Sequence, residues 1–206
     1  MKLKINWLDW LSKLCIVIGV SIFVIVMIRK DMVDKRQSIL IEQYREMTNE
    51  KRFNQVLPDT LKIMEEDGSN VIKVEEEKPI GILSIPQIDL ETAVLEGVNQ
   101  DTLRFAVGHY EDTPLPSEGG NFCIVGHRSY SYGAFFNRLD EVESGDTIYM
   151  EVEGETFCYL VQEIFVVEPE DTWVLNNSEE TMITLITCTP IRIGTKRLII
   201  KAILIK

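Results

Sequence analysis

Thr184-Leu185-Ile186-Thr187-Cys188-Thr189-Pro190, with Arg197 a short loop further on, is the stretch from which the rest of the chain is best read. An apolar run rich in β-formers carries one cysteine to its end, a proline stops the run, and a basic strand pattern returns from Arg197. A rigid strand fixes such a thiol, while the loop beyond leaves it open to a substrate. A cysteine alone proves little, because free cysteine is among the most often buried residue types. What singles out Cys188 is its company, His127 upstream and Arg197 downstream.

Outward from this stretch the same pattern recurs. Residues 81–86, 90–95, 121–127, 147–152, 156–167, 182–187 and 197–205 are short runs rich in Ile, Val, Thr, Tyr and Leu. Brief helices are expected near 99–105 and 134–139. So many short strands with so little helix indicate an all-β barrel or sandwich of about 125–130 residues, beginning at Pro79 and able to bury a core of its own.

Ahead of that domain, residues 14–28 (LCIVIGVSIFVIVMI) carry no charge. With Trp7, Leu8, Trp10 and Leu11 they approach the ~20 residues that span a bilayer, and the tryptophans suit its interface. A cleaved signal peptide is the rival reading, but Arg29, Lys30 and Asp31 follow Ile28 where a small-x-small site would stand. A retained anchor is therefore expected over residues 1–30, in the bilayer through 11–28. Lysines and arginines flank both ends, so charge does not orient it. Residues 31–53 lack Gly and Pro and show a partial apolar stripe of Ile39, Ile41, Tyr44 and Met47, the mark of a helical stalk. Leu57-Pro58-Asp59 breaks it, and an acidic linker runs to residue 78. The expected layout is anchor 1–30, stalk and linker 31–78, barrel 79–206.

The formal net charge of −12 argues against a general nucleic-acid binder. Cys15, Cys123, Cys158 and Cys188 form no CxxC or CxH pair and there are only two histidines, so neither a metal site nor a cofactor is expected. Cys123 and Cys158 lie inside strand-like runs and read as small core residues in preference to a disulfide.

A working cysteine needs its thiolate, and so a basic partner or a cationic setting. His127 closes an apolar run at Gly126 and sits at a strand-to-loop edge, as Cys188 does. His109 is the competitor, but it falls in a loop after a short helix, where a structural histidine is the ordinary case. A hairpin-like return places Arg197 near the sulfur, where a guanidinium can hold an oxyanion or a peptide carbonyl. Arg192 and Lys196 read more simply as exposed loop charges. Ala106, Ile186 and Thr187 are candidates for a substrate groove as well as for core packing. Trp173 either rims that groove or caps the barrel.

TLITCTP with Arg197, preceded by Gly126-His127-Arg128, resembles the sortases, the cysteine transpeptidases of Gram-positive cell surfaces; the likeness runs from Gly81 onward. The resemblance implies an eight-stranded β-barrel with short helices behind an N-terminal transmembrane helix and a helical stalk. It also implies Cys188 as nucleophile, His127 as the active-site histidine and Arg197 as the active-site arginine. The implied substrates are LPxTG-like sorting signals of surface proteins, joined through a thioacyl enzyme to a cell-wall precursor or peptidoglycan amine. The chain is then single-pass, with a cytoplasmic N-terminus and an extracellular catalytic domain. Residues 135–142 with Gly145-Asp146 look most like class D. TLITCTP is shared with the pilin-polymerising class C, but Leu57-Pro58-Asp59-Thr60 lacks that class's Asp-Pro-aromatic lid, and the 168–182 connection is too short for the extra helix of class B. A membrane-anchored cysteine protease and a non-catalytic surface scaffold are the competing readings.

Overall fold

Short runs whose side chains alternate between two faces each leave an apolar face to bury, and here eight of them bury it by closing on one another. The structure, a computed structural model, describes residues 7–56, 78–128 and 135–206. The acidic linker, the Leu57-Pro58-Asp59-Thr60 segment, Lys2, Lys4 and Ala134 lie outside the described residues. The strands are β1 (Pro79–Ile85), β2 (Leu90–Glu96), β3 (Val107–His109), β4 (Asn121–Val125), β5 (Thr147–Val152), β6 (Glu155–Val167), β7 (Met182–Thr189) and β8 (Lys196–Leu204). They form a closed barrel in the order β1-β2-β3-β4-β7-β8-β6-β5, the all-β architecture expected from the sequence. The β2–β3 and β4–β7 pairs are parallel and the others antiparallel. Phe122 and Ile124 of β4, Ile183 and Leu185 of β7, and Ile200 of β8 are all but fully buried on one face of this wall.

Strand β3 corrects the expectation of a loop around His109. Val107, Gly108 and His109 bridge β2 to β4, and His109 is 3% exposed. Its Nδ1 lies 2.8 Å from Glu96 Oε1, and its Nε2 lies 2.9 Å from Thr113 O and 3.0 Å from Thr113 Oγ1. Both ring nitrogens are thus engaged, which makes His109 a structural histidine. Before it, α2 (Gln100–Phe105) starts at Asn99, whose Oδ1 accepts from the amides of Asp101 and Thr102, each at 3.0 Å. In place of the helix expected at 134–139, residues 135–138 are a bridge and a turn that lead into a short 3-10 turn, Leu139–Glu141.

The long helix α1 (Trp7–Val56) is shared between two compact units that divide at Arg36 and Gln37. In the first unit the side chains of Trp10, Ile16, Phe23 and Ile25 are exposed, and α1 is the one helix among the described residues long and apolar enough to cross a bilayer. In the second unit, α1 packs on the barrel instead of standing clear as a stalk. The buried seam is Leu40, Tyr44 and Thr48, at i, i+4 and i+8, while Ile39 is exposed. Leu40 packs with Ala93, Leu95 and Ala106. Gln37 stitches the helix to the barrel: its Oε1 accepts from Ala93 N and Thr92 Oγ1, each at 3.0 Å, and its Nε2 donates to Phe105 O. Further along, Arg52 donates to Gly154 O at 2.6 Å.

Candidate active site

Three neighbouring strands, β4, β7 and β8, carry the residues singled out by sequence. In the β7–β8 ladder Cys188 and Arg197 are Cα partners, and Arg197 in turn partners Val167 on β6. On the other side of β7 the parallel ladder runs to Val125 opposite Ile186, and Gly126 N donates to Ile186 O at 3.1 Å. Continuing that register two residues brings His127 level with Cys188. Paired residues of a ladder share a face, so Cys188 and Arg197 do, and the alternation of β4 carried two residues past its end assigns His127 to the same side. One pleat below them on the same face lie Val125, Ile186, Ile199 and Phe165, again in register. The exposure matches: His127 is exposed and Cys188 partly so, whereas Ile186 and Ile199 are buried.

The connection between β6 and β7 covers this face. Its 3-10 turn, Thr172–Leu175, sets Val174 and Leu175 over Val125, Val167, Ile186 and Ile199. Between floor and cover is a cavity of about 240 Å³, with Arg197 in its lining. Asn121, fully buried on the same face of β4, holds the cover down. Its Nδ2 donates to Val174 O and Asn176 O, each at 3.0 Å, and its Oδ1 accepts from Thr184 Oγ1 at 2.6 Å. Buried carbonyls left without donors would cost free energy, so this one amide stabilises the whole wall.

The β7–β8 turn comes close over the sulfur. Gly194 takes a positive φ of 66°, and a Cβ there would lie 3.5 Å from Cys188 Cβ and 4.0 Å from Sγ. The Arg197 Nη1 donates to Gly194 O at 3.2 Å and Lys196 O at 3.1 Å. Lys196 is paired with Glu168 at 2.7 Å, a hydrogen-bonded contact that raises the pKa of its ammonium. Arg192 is exposed on the same turn.

The substrate-groove candidates scatter. Ile186 lines the cavity floor. Ala106 is buried under Leu40 on another side of the barrel. Thr187 is 1% exposed on the face away from the cavity, where its Oγ1 donates to Gly126 O at 2.8 Å. Trp173 sits in the covering turn but off the cavity, stacked on Phe165 with ring centroids 5.6 Å apart and with the Lys201 ammonium 5.5 Å from its ring. Sequence reading passed over Asn121 and Arg128. A lone Asn opening an apolar β-run, where β-propensity disfavours it, is the signal that marks Asn121; Arg128 carries no such mark.

A partly exposed thiol paired in register with a guanidinium beside an apolar cavity, with an exposed imidazole just past the end of β4, is suited to thiol-based acyl transfer. Comparison with known proteins gives this β-barrel its family. The Sortase domain family matches residues 83–205, and the chain belongs to the sortase family of cysteine transpeptidases. Sortase D of Bacillus subtilis (strain 168) is 34% identical over 119 residues, which are 57% of this chain and 58% of that protein. The structure of a Clostridium perfringens Sortase D5 transpeptidase superposes with a TM-score of 0.66 at 32% identity, covering 84% of this chain and 99% of that one. Sortase A from Corynebacterium diphtheriae gives a TM-score of 0.60 at 36% identity, covering 64% of this chain and 62% of that one.

Proposed function

We propose that the chain is a membrane-anchored transpeptidase of class D that cleaves an LPxTG-like sorting signal and transfers the acyl part to a cell-wall amine. The single observation that carries the reading is the register pairing of Cys188 with Arg197, on a face continuous with the apolar floor of Val125, Ile186 and Ile199. Family membership supports the reaction class, and the likeness to the Bacillus subtilis and Clostridium perfringens D-type sortases supports the subclass.

The Cys188 thiolate attacks the carbonyl carbon of the signal's Thr–Gly or Thr–Ala bond. Arg197 donates hydrogen bonds to the oxyanion, and His127 protonates the departing amine, leaving a thioester on Cys188. An incoming amine then gives its proton to His127, attacks the thioester and expels the thiolate. The cavity takes the aliphatic side chain of the signal, whose burial helps to hold the scissile bond at the sulfur. The apolar part of α1 holds the enzyme in the membrane through residues 11–28, with the N-terminus cytoplasmic and the barrel outside. There it shares a surface with its substrates, which raises their effective concentration. In this layout residues 1–30 are the anchor, 31–78 the connecting helix and linker, and 79–206 the catalytic barrel.

The experiment is acyl-enzyme trapping on a panel of Leu-Pro-x-Thr-Gly and Leu-Pro-x-Thr-Ala peptides, with and without an added amine. A thioester adduct on Cys188 and an amide product that rises with amine concentration are expected. Hydrolysis indifferent to the amine, with no amide formed, would convert the reading to a cysteine protease.

A further inference from the structure

We infer that Arg128 is a positioning residue: its guanidinium straps the ends of β4 and β7 together on the face opposite His127 and Cys188, and so fixes the spacing of that pair. This rests on the reading of His127 and Cys188 as acid–base group and nucleophile.

The backbone ladder between β4 and β7 gives out just before the site. Its last backbone bond is Gly126 N to Ile186 O, at 3.1 Å. The next tie is made by a side chain, Thr187 Oγ1 donating to Gly126 O at 2.8 Å. One residue past the His127–Cys188 level, Arg128 Nη1 donates to Thr189 Oγ1 at 2.9 Å. Arg128 and Thr189 follow His127 and Cys188 directly, so their side chains point to the reverse face, and this bond takes over where the ladder has stopped. The same guanidinium reaches a third segment, with Nη2 2.7 Å from Asp140 Oδ1 in the Leu139–Glu141 turn. That turn also lies close along the chain from Phe135, bridged to Arg128, and Phe136, whose amide donates to His127 O at 3.2 Å.

The Arg128 side chain is 7% exposed, and its Nε finds no acceptor among the described residues. Burying a cation is costly even when it is paired, so Arg128 is a poor choice for stability alone. A planar fork can hold two acceptors in fixed directions, which a flexible ammonium cannot. Misplacing reacting groups by about 1 Å costs on the order of 10²-fold in rate. The cavity lies on the other face of the strands, so loss of the strap falls on turnover and spares binding.

The test uses the full chain in detergent with the best-turned-over peptide of a Leu-Pro-x-Thr-Gly/Ala panel. Thr189→Val removes the acceptor at nearly constant volume, Thr189→Ser keeps it, and Arg128→Lys keeps the charge without the fork. For Thr189→Val we expect kcat to fall about 10- to 100-fold with KM within about twofold. Thr189→Ser should recover most of the loss, and Arg128→Lys should behave like Thr189→Val. If Arg128→Lys does not fold, the two Thr189 variants decide. Unchanged kcat in Thr189→Val, a change in KM alone, or equal impairment in Thr189→Ser would each overturn the strap. Cys188→Ala run alongside separates the two readings: activity in that variant removes the catalytic assignment itself, whereas a dead Cys188→Ala with a fully active Thr189→Val removes only the strap.

Discussion

Cys188 and Arg197 face each other across the β7–β8 ladder as register partners, with the Gly194 turn folded over the sulfur between them. A thiol held this way has a guanidinium beside it whose acceptors among the described residues are the turn's own carbonyls, Gly194 O and Lys196 O. Those are weak holds compared with an oxyanion, so Arg197 is available to a developing charge. Cys188→Ala should give no thioester adduct by mass spectrometry while keeping the barrel's circular dichroism. Arg197→Gln should still acylate but with kcat lower by about 10²-fold. An Arg197→Gln enzyme as fast as wild type would remove the oxyanion role.

Asn121 is the second testable anchor, because one buried amide carries the wall of the cavity. Asn121→Ala strands Val174 O, Asn176 O and the Thr184 hydroxyl, and should lower unfolding free energy by about 1–3 kcal/mol in urea titrations. The wall shapes the cavity more than the thiol, so KM should rise more than kcat falls. A variant with normal KM and a folded barrel would show that the cover over Ile186 and Ile199 does not meet the substrate.

The docked half of α1 makes a third prediction. Leu40→Ala should cost about 2–5 kcal/mol, because Leu40 is fully buried against Ala93, Leu95 and Ala106. Gln37→Ala should cost about 1–3 kcal/mol by leaving Ala93 N and Phe105 O without their partner. Thermal unfolding of the two variants checks both values. A free-standing stalk would be indifferent to either change.

These contacts mark where the sequence could be read and where it could not. The alternation Val125–His127 and Ile186–Cys188 is local, period-two information, and it exposes both the strands and the face that carries the chemistry. The number of such runs pointed to an all-β barrel or sandwich, and the resemblance to sortases implied the eight-stranded barrel. β3 was missed because Val107-Gly108-His109 is too short for any period to register; only its long-range pairing with Val94–Glu96 and Ile124–Val125 makes it a strand. The apolar stripe of α1 was legible only in part: Tyr44 is buried and Ile41 packs on the Leu40 cluster, but Ile39 is exposed, and Thr48 is buried although its polarity hid it. Arg128 was invisible for a related reason: its partners Thr189 and Asp140 are distant in sequence, and nothing in a single arginine announces that it will be buried.

Cys123 supplies a pH dependence whose sign can be worked out. It lies on the same face of β4 as Asn121 and Val125, is fully buried, and burial pushes its thiol from the ordinary 9.0 up to about 12. The folded state therefore keeps a proton that the unfolded chain releases. Stability from this difference is complete below about pH 9 and is lost as the pH rises through about 12, at up to about 1.4 kcal/mol per pH unit. Tyr159 and Tyr44, both raised by burial, act in the same direction at still higher pH. Urea unfolding of wild type and Cys123→Ala between about pH 7.5 and 11 isolates the thiol, since the tyrosines are common to both. The wild-type advantage should be flat to about pH 9 and shrink above it. A difference independent of pH would mean that Cys123 ionises as readily in the barrel as in the unfolded chain, and that its burial does not hold the thiol protonated.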